Sequence, residues 1–224
     1  MFKNLLRFWK GEDFLKYVLE SFKNMLDDAE EMFNAVCKKL IHGQGEPNLR
    51  DKIYNIDKKI NGLQKDIRRR VIEHLSLQPA VDAPTCLILM SVVKDAERLG
   101  DYSKNLFEVS NLFNRPLNEE NYLRLFDGIE EKITVLFKQT KKAFIESDED
   151  EAESSWVHEK EILKRCEEII SKVATSEIST NEAVCFVLMA RYFKRIAAHL
   201  ANIATSVILP VTDLDYFDER KSDG

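Results

Sequence analysis

Apolar residues recur at steps of three and four for about thirty residues at a time, and then glycine or proline interrupts them. Leu15, Val18, Phe22, Met25, Ala29, Met32 and Val36 form the first such row. That spacing lines side chains along one stripe of an α-helix. It predicts an amphipathic helix over residues 12–42, roughly 45 Å long at ~1.5 Å per residue. Gly43, Gly45 and Pro47 end it. Ile53, Ile56, Ile60, Leu63, Ile67 and Val71 predict a second helix over residues 48–75. A third starts near Asp82, accepts Pro84 in its first turn, and runs through Leu89, Val92, Ala96 and Leu99 to about Leu112.

After Asn114, Arg115 and Pro116 the order repeats. Tyr122, Phe126, Ile129, Ile133 and Leu136 predict a fourth helix capped by Asn118. The acidic run 147–153 holds a turn, and its carboxylates favour the positive N-terminal end of the helix that follows. Ile162, Cys166, Ile169 and Val173 mark the fifth helix. Ser179 to Glu182 has the form of a capping box and opens a sixth helix to about Val207. Only seven glycines and five prolines occur in 224 residues, too few for a loop-rich fold. A heptad pattern also suits a coiled coil between chains, but breaks every thirty or so residues favour helices folding back on one another. The predicted class is therefore all-α: two tandem antiparallel three-helix bundles with six long helices. The predicted divisions are an amphipathic N-terminal segment at 1–11, a first unit at 12–114, a second at 115–209, and a loose polar tail at 210–224.

The formal charge is −6. Duplex nucleic-acid binding depends on contacts to phosphates and calls for a basic surplus, so no nucleic-acid partner is expected. The longest apolar run, 183–190, is far short of the ~20 residues a spanning helix needs. Cys37, Cys86, Cys166 and Cys185 form no C-x-x-C pair, and no secretory leader is evident. These features predict reduced, buried thiols in a cytoplasmic protein. Phe2, Leu5, Leu6 and Trp9 among Lys3, Arg7 and Lys10 could lie on a membrane surface, pack on the bundle, or touch a transporter. Lys65, Arg68, Arg69 and Arg70 form a basic cluster, read here as a solvated face paired with nearby acids rather than as an anion site.

The chemistry-bearing string is Glu97-Arg98-Leu99-Gly100-Asp101-Tyr102-Ser103-Lys104-Asn105. Glu97 and Asp101 are one turn apart on one helix face, and Asn105 extends the row. On an arbitrary charged helix such a pair is an ordinary solvated surface feature. Gly100 argues for more: inside a helix it costs ~1 kcal/mol relative to alanine, so it marks either close helix approach or room for a ligand. Oxygen donors in a row suit a hard or borderline cation such as Mg²⁺, Mn²⁺ or iron, provided a neighbouring helix adds donors.

The E-R-L-G-D-x-x-x-N string on the third helix, with Asp57-Lys58-Lys59-Ile60-Asn61 on the second, resembles the PhoU family of phosphate-uptake regulators. The resemblance implies a regulator rather than an enzyme. It would act at the cytoplasmic membrane face on a phosphate transporter complex, a sensor histidine kinase, or both, with a homodimer left open. It also implies a divalent or trivalent metal in the first unit. Glu97 and Asp101 would be direct ligands. Asn105, Asp57 and Asn61 would be flanking ligands or the groups that orient them. A metal-independent helical adaptor for a low-affinity phosphate permease is the alternative.

The second unit departs from the pattern. Its string is Lys194-Arg195-Ile196-Ala197-Ala198-His199-Leu200-Ala201-Asn202, in which both carboxylates are replaced. Lys194 is expected to stand where a cation would, paired with Glu159 or Glu161. His199 reads as a packing or surface histidine, and His158 and Glu159, being adjacent, point to different faces. No H-E-x-x-H, G-x-S-x-G or P-loop string occurs, and the acids and histidines are too few for a di-metal carboxylate enzyme.

Overall fold

The computed structural model describes residues 12–77 and 82–214. Among them are seven α-helices: α1 Glu12–His42, α2 Leu49–Leu77, α3 Ala83–Val109, α4 Glu119–Phe126, α5 Ile129–Glu146, α6 Glu149–Ala174 and α7 Thr180–Thr205, followed by a short 3₁₀ turn, Val211–Asp213. No strand occurs among the described residues. The N-terminal segment at 1–11 and residues 215–224 of the tail lie outside the described residues.

Cross-helix contacts fix the directions. Tyr17 meets Asp66 and Asp28 meets Lys59, so α1 and α2 run antiparallel. Tyr54 meets Glu108 and Asp57 meets Lys104, so α2 and α3 do too. In the second unit Gln139 meets Ser154 and Lys142 meets Glu151 across α5 and α6, and Glu167 meets Lys194 across α6 and α7. The five residues between α6 and α7 turn the chain back along α6, so each set of three long helices is antiparallel.

The two sets share one core. Phe33 of α1 stands 5.7 Å from Phe137 of α5 and 5.9 Å from Phe193 of α7, and Phe22 stands 4.6 Å from Phe144. All five rings are fully buried. Burying such a ring contributes about 1.5–3 kcal/mol, so this seam adds substantially to the stability of the fold. The four cysteines are buried and unpaired with one another. No helix among the described residues is long and apolar enough to cross a membrane.

Three local expectations need correction. The fourth helix is not continuous: Asp127 and Gly128 both take left-handed backbone, with φ of 51° and 71°, and divide it into α4 and α5. Asp-Gly tolerates that conformation at low cost, and the bend keeps both Phe126 and Ile129 buried. The box at Ser179 is only half formed. Its hydroxyl accepts from the Glu182 N–H, but the Glu182 carboxylate accepts instead from the Asn118 N–H at 3.2 Å. Asn181 likewise bonds Leu112 and Asn114, so the start of α7 secures the linker between the units. Finally, the tail is not loose from Pro210 onward: Val211 and Leu214 pack against the core.

Candidate functional site

Gly100 decides how α2 meets α3. A Cβ built on it would lie 3.0 Å from Cδ1 of Ile60. The glycine therefore marks close helix approach, with the side chain of Ile60 packed against it. This contact seats one face of α2 beside one face of α3, and Asp57 of α2 meets Lys104 of α3 in the groove between them.

The first carboxylate in the groove is Asp57. Its Oδ1 accepts from Nζ of Lys104 at 2.9 Å, and its Oδ2 is 3.5 Å from the Asn61 amide. The second is Asp101. Its Oδ1 accepts from the same Lys104 ammonium at 3.3 Å, and its Oδ2 accepts from Arg98 at 2.8 Å. Lys104 therefore joins the two helices, with 21% of its side chain exposed. Burial on its own would lower the pKa of the Lys104 ammonium. The hydrogen bond and charge of Asp57, with those of Asp101, outweigh burial and raise it. Glu97 lies at the upper end, 3.6 Å from Nε of Arg98. Burial pushes its pKa up, the Asp101 and Asp57 charges push the same way, and Arg98 and Arg68 oppose them. Asn105 continues the row half-buried on α3.

The sequence-predicted acids thus share one groove. They do not fit a metal ion as arranged. Each oxygen of Asp57 and Asp101 already faces an ammonium, guanidinium or amide donor. Among the described residues, no three histidine, cysteine, aspartate or glutamate side chains converge in a way that could hold one. Sequence reasoning missed Lys104, which it treated as a spacer in the motif. Its position three residues after Asp101 was the available signal, because that spacing puts both side chains on one helix face.

In the second unit Lys194 is paired, but with Glu167 at 2.5 Å rather than with Glu159 or Glu161. Glu161 lines a cleft with Asp127, Lys132 and Arg165 beside the start of α5, and Glu159 is buried further back along α6. His199 turns away from that pair toward the first unit. Its Nδ1 lies 2.7 Å from the Asp95 carboxylate, and its ring stacks on Tyr102 at 5.6 Å. His158 bonds Gln139 at 2.8 Å. In the basic cluster, Arg69 and Arg70 both hold Asp66, and Arg70 also covers the Tyr17 ring. Arg69 and Arg70 are thus paired as expected, whereas Nε of Arg68 is buried without a hydrogen-bond partner among the described residues.

Two helix strings of this kind, each on a three-helix unit, are matched by the PhoU domain family model over residues 22–109 and again over 128–207. The chain belongs to the PhoU family. Among its curated PhoU relatives, a phosphate-specific transport system accessory protein PhoU homolog of Clostridium acetobutylicum is 22% identical over 183 residues, covering 79% of this chain and 83% of that one. The homolog of Deinococcus radiodurans is 20% identical over 204 residues, covering 88% and 94%. The crystal structure of PhoU from Pseudomonas aeruginosa superposes with a TM-score of 0.80 at 21% identity, covering 89% of this chain and 97% of that one. The phosphate transport system regulatory protein PhoU from Streptococcus pneumoniae gives 0.75 at 18% identity, with 87% and 93% covered. The PhoU fold thus extends over nearly the whole of this chain.

Proposed function

We propose that this protein is a cytoplasmic regulator of phosphate uptake and phosphate-starvation signalling, and that it works by binding a phosphate transporter complex, its sensor histidine kinase, or both. The observation that carries this reading is the PhoU domain match across both three-helix units, together with relatives named as accessory proteins of phosphate transport. The chemistry of the groove supports binding rather than catalysis. Its charged groups are engaged with one another, which suits a preformed polar docking face more than a centre that must receive a reacting atom.

Deleting the gene from its host and following a phosphate-starvation reporter in phosphate-rich medium tests the proposal. Derepression, reversed by the wild-type gene, is the expected result. An unchanged reporter, with no transporter or kinase subunit recovered on affinity purification of the tagged chain, would sink it. The same purification separates a multi-subunit transporter from a low-affinity permease as the docking partner.

A further inference from the structure

The groove between α2 and α3 gathers three carboxylates, Asp57, Glu97 and Asp101, on two facing helices. Like charges brought this close repel one another unless a cation lies between them. We propose that the resident cation is the chain's own Lys104 ammonium, which takes the place a metal ion would occupy and keeps the groove metal-free in the working protein.

Three observations carry this. First, the ammonium bridges the helices as a bound ion would. It is 2.9 Å from Asp57 on α2 and 3.3 Å from Asp101 on α3. Second, the donor atoms are committed. Arg98 takes the other oxygen of Asp101, and Asn61 faces the other oxygen of Asp57. A divalent ion would have to displace these partners and shed its own water, which Mg²⁺ in particular does reluctantly. Third, Lys104 is tethered on the same helix three residues from Asp101, so its effective concentration at the groove is high, on the order of millimolar or more for a short tether. A free ion at lower concentration competes poorly against it.

The second unit has a simpler lysine–carboxylate contact at a different register. Lys194 of α7 holds Glu167 of α6, and Ala198 stands where the first unit has Asp101. In both units a lysine from the third long helix therefore reaches a carboxylate on the second.

The test uses the full chain, purified without chelator or metal-affinity tag, and is read without any transporter, so its outcome is separate from that of the regulatory assignment. Metal content is measured by elemental analysis. The chain is then titrated with Mn²⁺ and with Tb³⁺ while melting is followed. The wild type is expected to carry far less than one ion per chain and to melt at the same temperature with or without added metal. Lys104→Met should melt about 2–4 °C lower, the shift expected of a modest loss in a chain of this length. Added Mn²⁺ or Tb³⁺ should restore it, and Asp57→Asn in the same background should abolish that rescue. Lys104→Arg, which keeps the bridge, should behave as wild type. Near-stoichiometric metal in the wild type, lost in Asp101→Asn, would overturn the proposal. So would a Lys104→Met chain that melts like wild type, or one destabilised but indifferent to both ions. Should Lys104→Met fail to fold, the wild-type metal content and titration decide by themselves.

Discussion

Gly100 has room for a hydrogen and little more, and the identity of its neighbour sets what substitution does. The atom it faces is the flexible end of Ile60, which can yield by a few tenths of an ångström. Gly100→Ala gains about 1 kcal/mol of helix propensity against that small displacement and should leave stability close to unchanged. Gly100→Leu must push α2 away from α3 and should cost about 1–3 kcal/mol by overpacking, read as a lower denaturant midpoint. Glu130 offers a second test at this scale. Burial raises its pKa from 4.5, although the Tyr122 hydroxyl donates to it at 2.5 Å and opposes the rise. A carboxyl with a raised folded-state pKa binds its proton more tightly in the folded chain. Its contribution is therefore complete below pH 4.5 and is lost as pH climbs through the raised value. Glu130→Gln keeps the neutral form at every pH, so it should melt higher than wild type at pH 7 and alongside it at pH 4. The sequence made Glu97 and Asp101 readable as one pair, because helical spacing fixes which side chains share a face; Asp57, on another helix, was joined to them only by the resemblance to the PhoU family. It did not reveal that Lys104 closes that group. Any long flexible side chain on the same face could have turned to solvent instead, and only the packing of Ile60 on Gly100 brings Asp57 within its reach.

Helices were legible where one apolar stripe ran unbroken between chain-breakers, which is why α1 to α3 and α7 fall close to their predicted limits; for the fifth helix the stripe gave no limits, and α6 begins at Glu149, inside the acidic run. The fourth helix was misjudged because its stripe continues through the bend. Tyr122, Phe126 and Ile129 keep helical spacing in the sequence although Asp127 and Gly128 interrupt the helix between them. The Tyr122–Glu130 bond ties α4 to α5 across that break, and the stack of Tyr122 on Phe126, 4.7 Å apart, holds the Tyr122 ring in place within α4. With only eight residues, α4 depends on its cap. The Asn118 side chain accepts from the Asn121 N–H at 3.0 Å, and Asn118→Ala should destabilise the chain by about 1 kcal/mol. Amide hydrogen exchange should show the loss first in residues 119–126. Exchange that quickens equally everywhere would mean that the cap does not act on α4 in particular.

At the scale of the whole molecule, two units that the sequence reads as separate bundles are joined by polar as well as aromatic contacts. Lys141 of α5 reaches Asp27 and Glu30 of α1 at 2.8 and 2.6 Å. His199 of α7 holds Asp95 of α3, which is 8% exposed. His199→Ala would strand that carboxylate and should cost about 1–3 kcal/mol. Because the core is shared, calorimetry should still show a single transition, displaced to lower temperature. Two resolved transitions in the wild type would contradict the shared core. None of these cross-unit partners could be paired from the sequence, since no local spacing relates residues a hundred positions apart.

The seam of Tyr102, His199, Asp95 and Tyr192 has a symmetry of its own. Laying one motif on the other sets Glu97 opposite Lys194, which sets Tyr102 opposite His199 and Asp95 opposite Tyr192. Tyr102 stacks on His199, its own counterpart. The contact of Asp95 with His199 is mirrored by that of Tyr192 with Tyr102, 6.0 Å apart. Contacts that exchange in this way are the mark of a twofold axis between identical partners. The two halves of this chain therefore meet across a pseudo-twofold axis. Because they are covalently one chain, its two sides need not be identical, and one half carries acids where the other carries lysine and alanine.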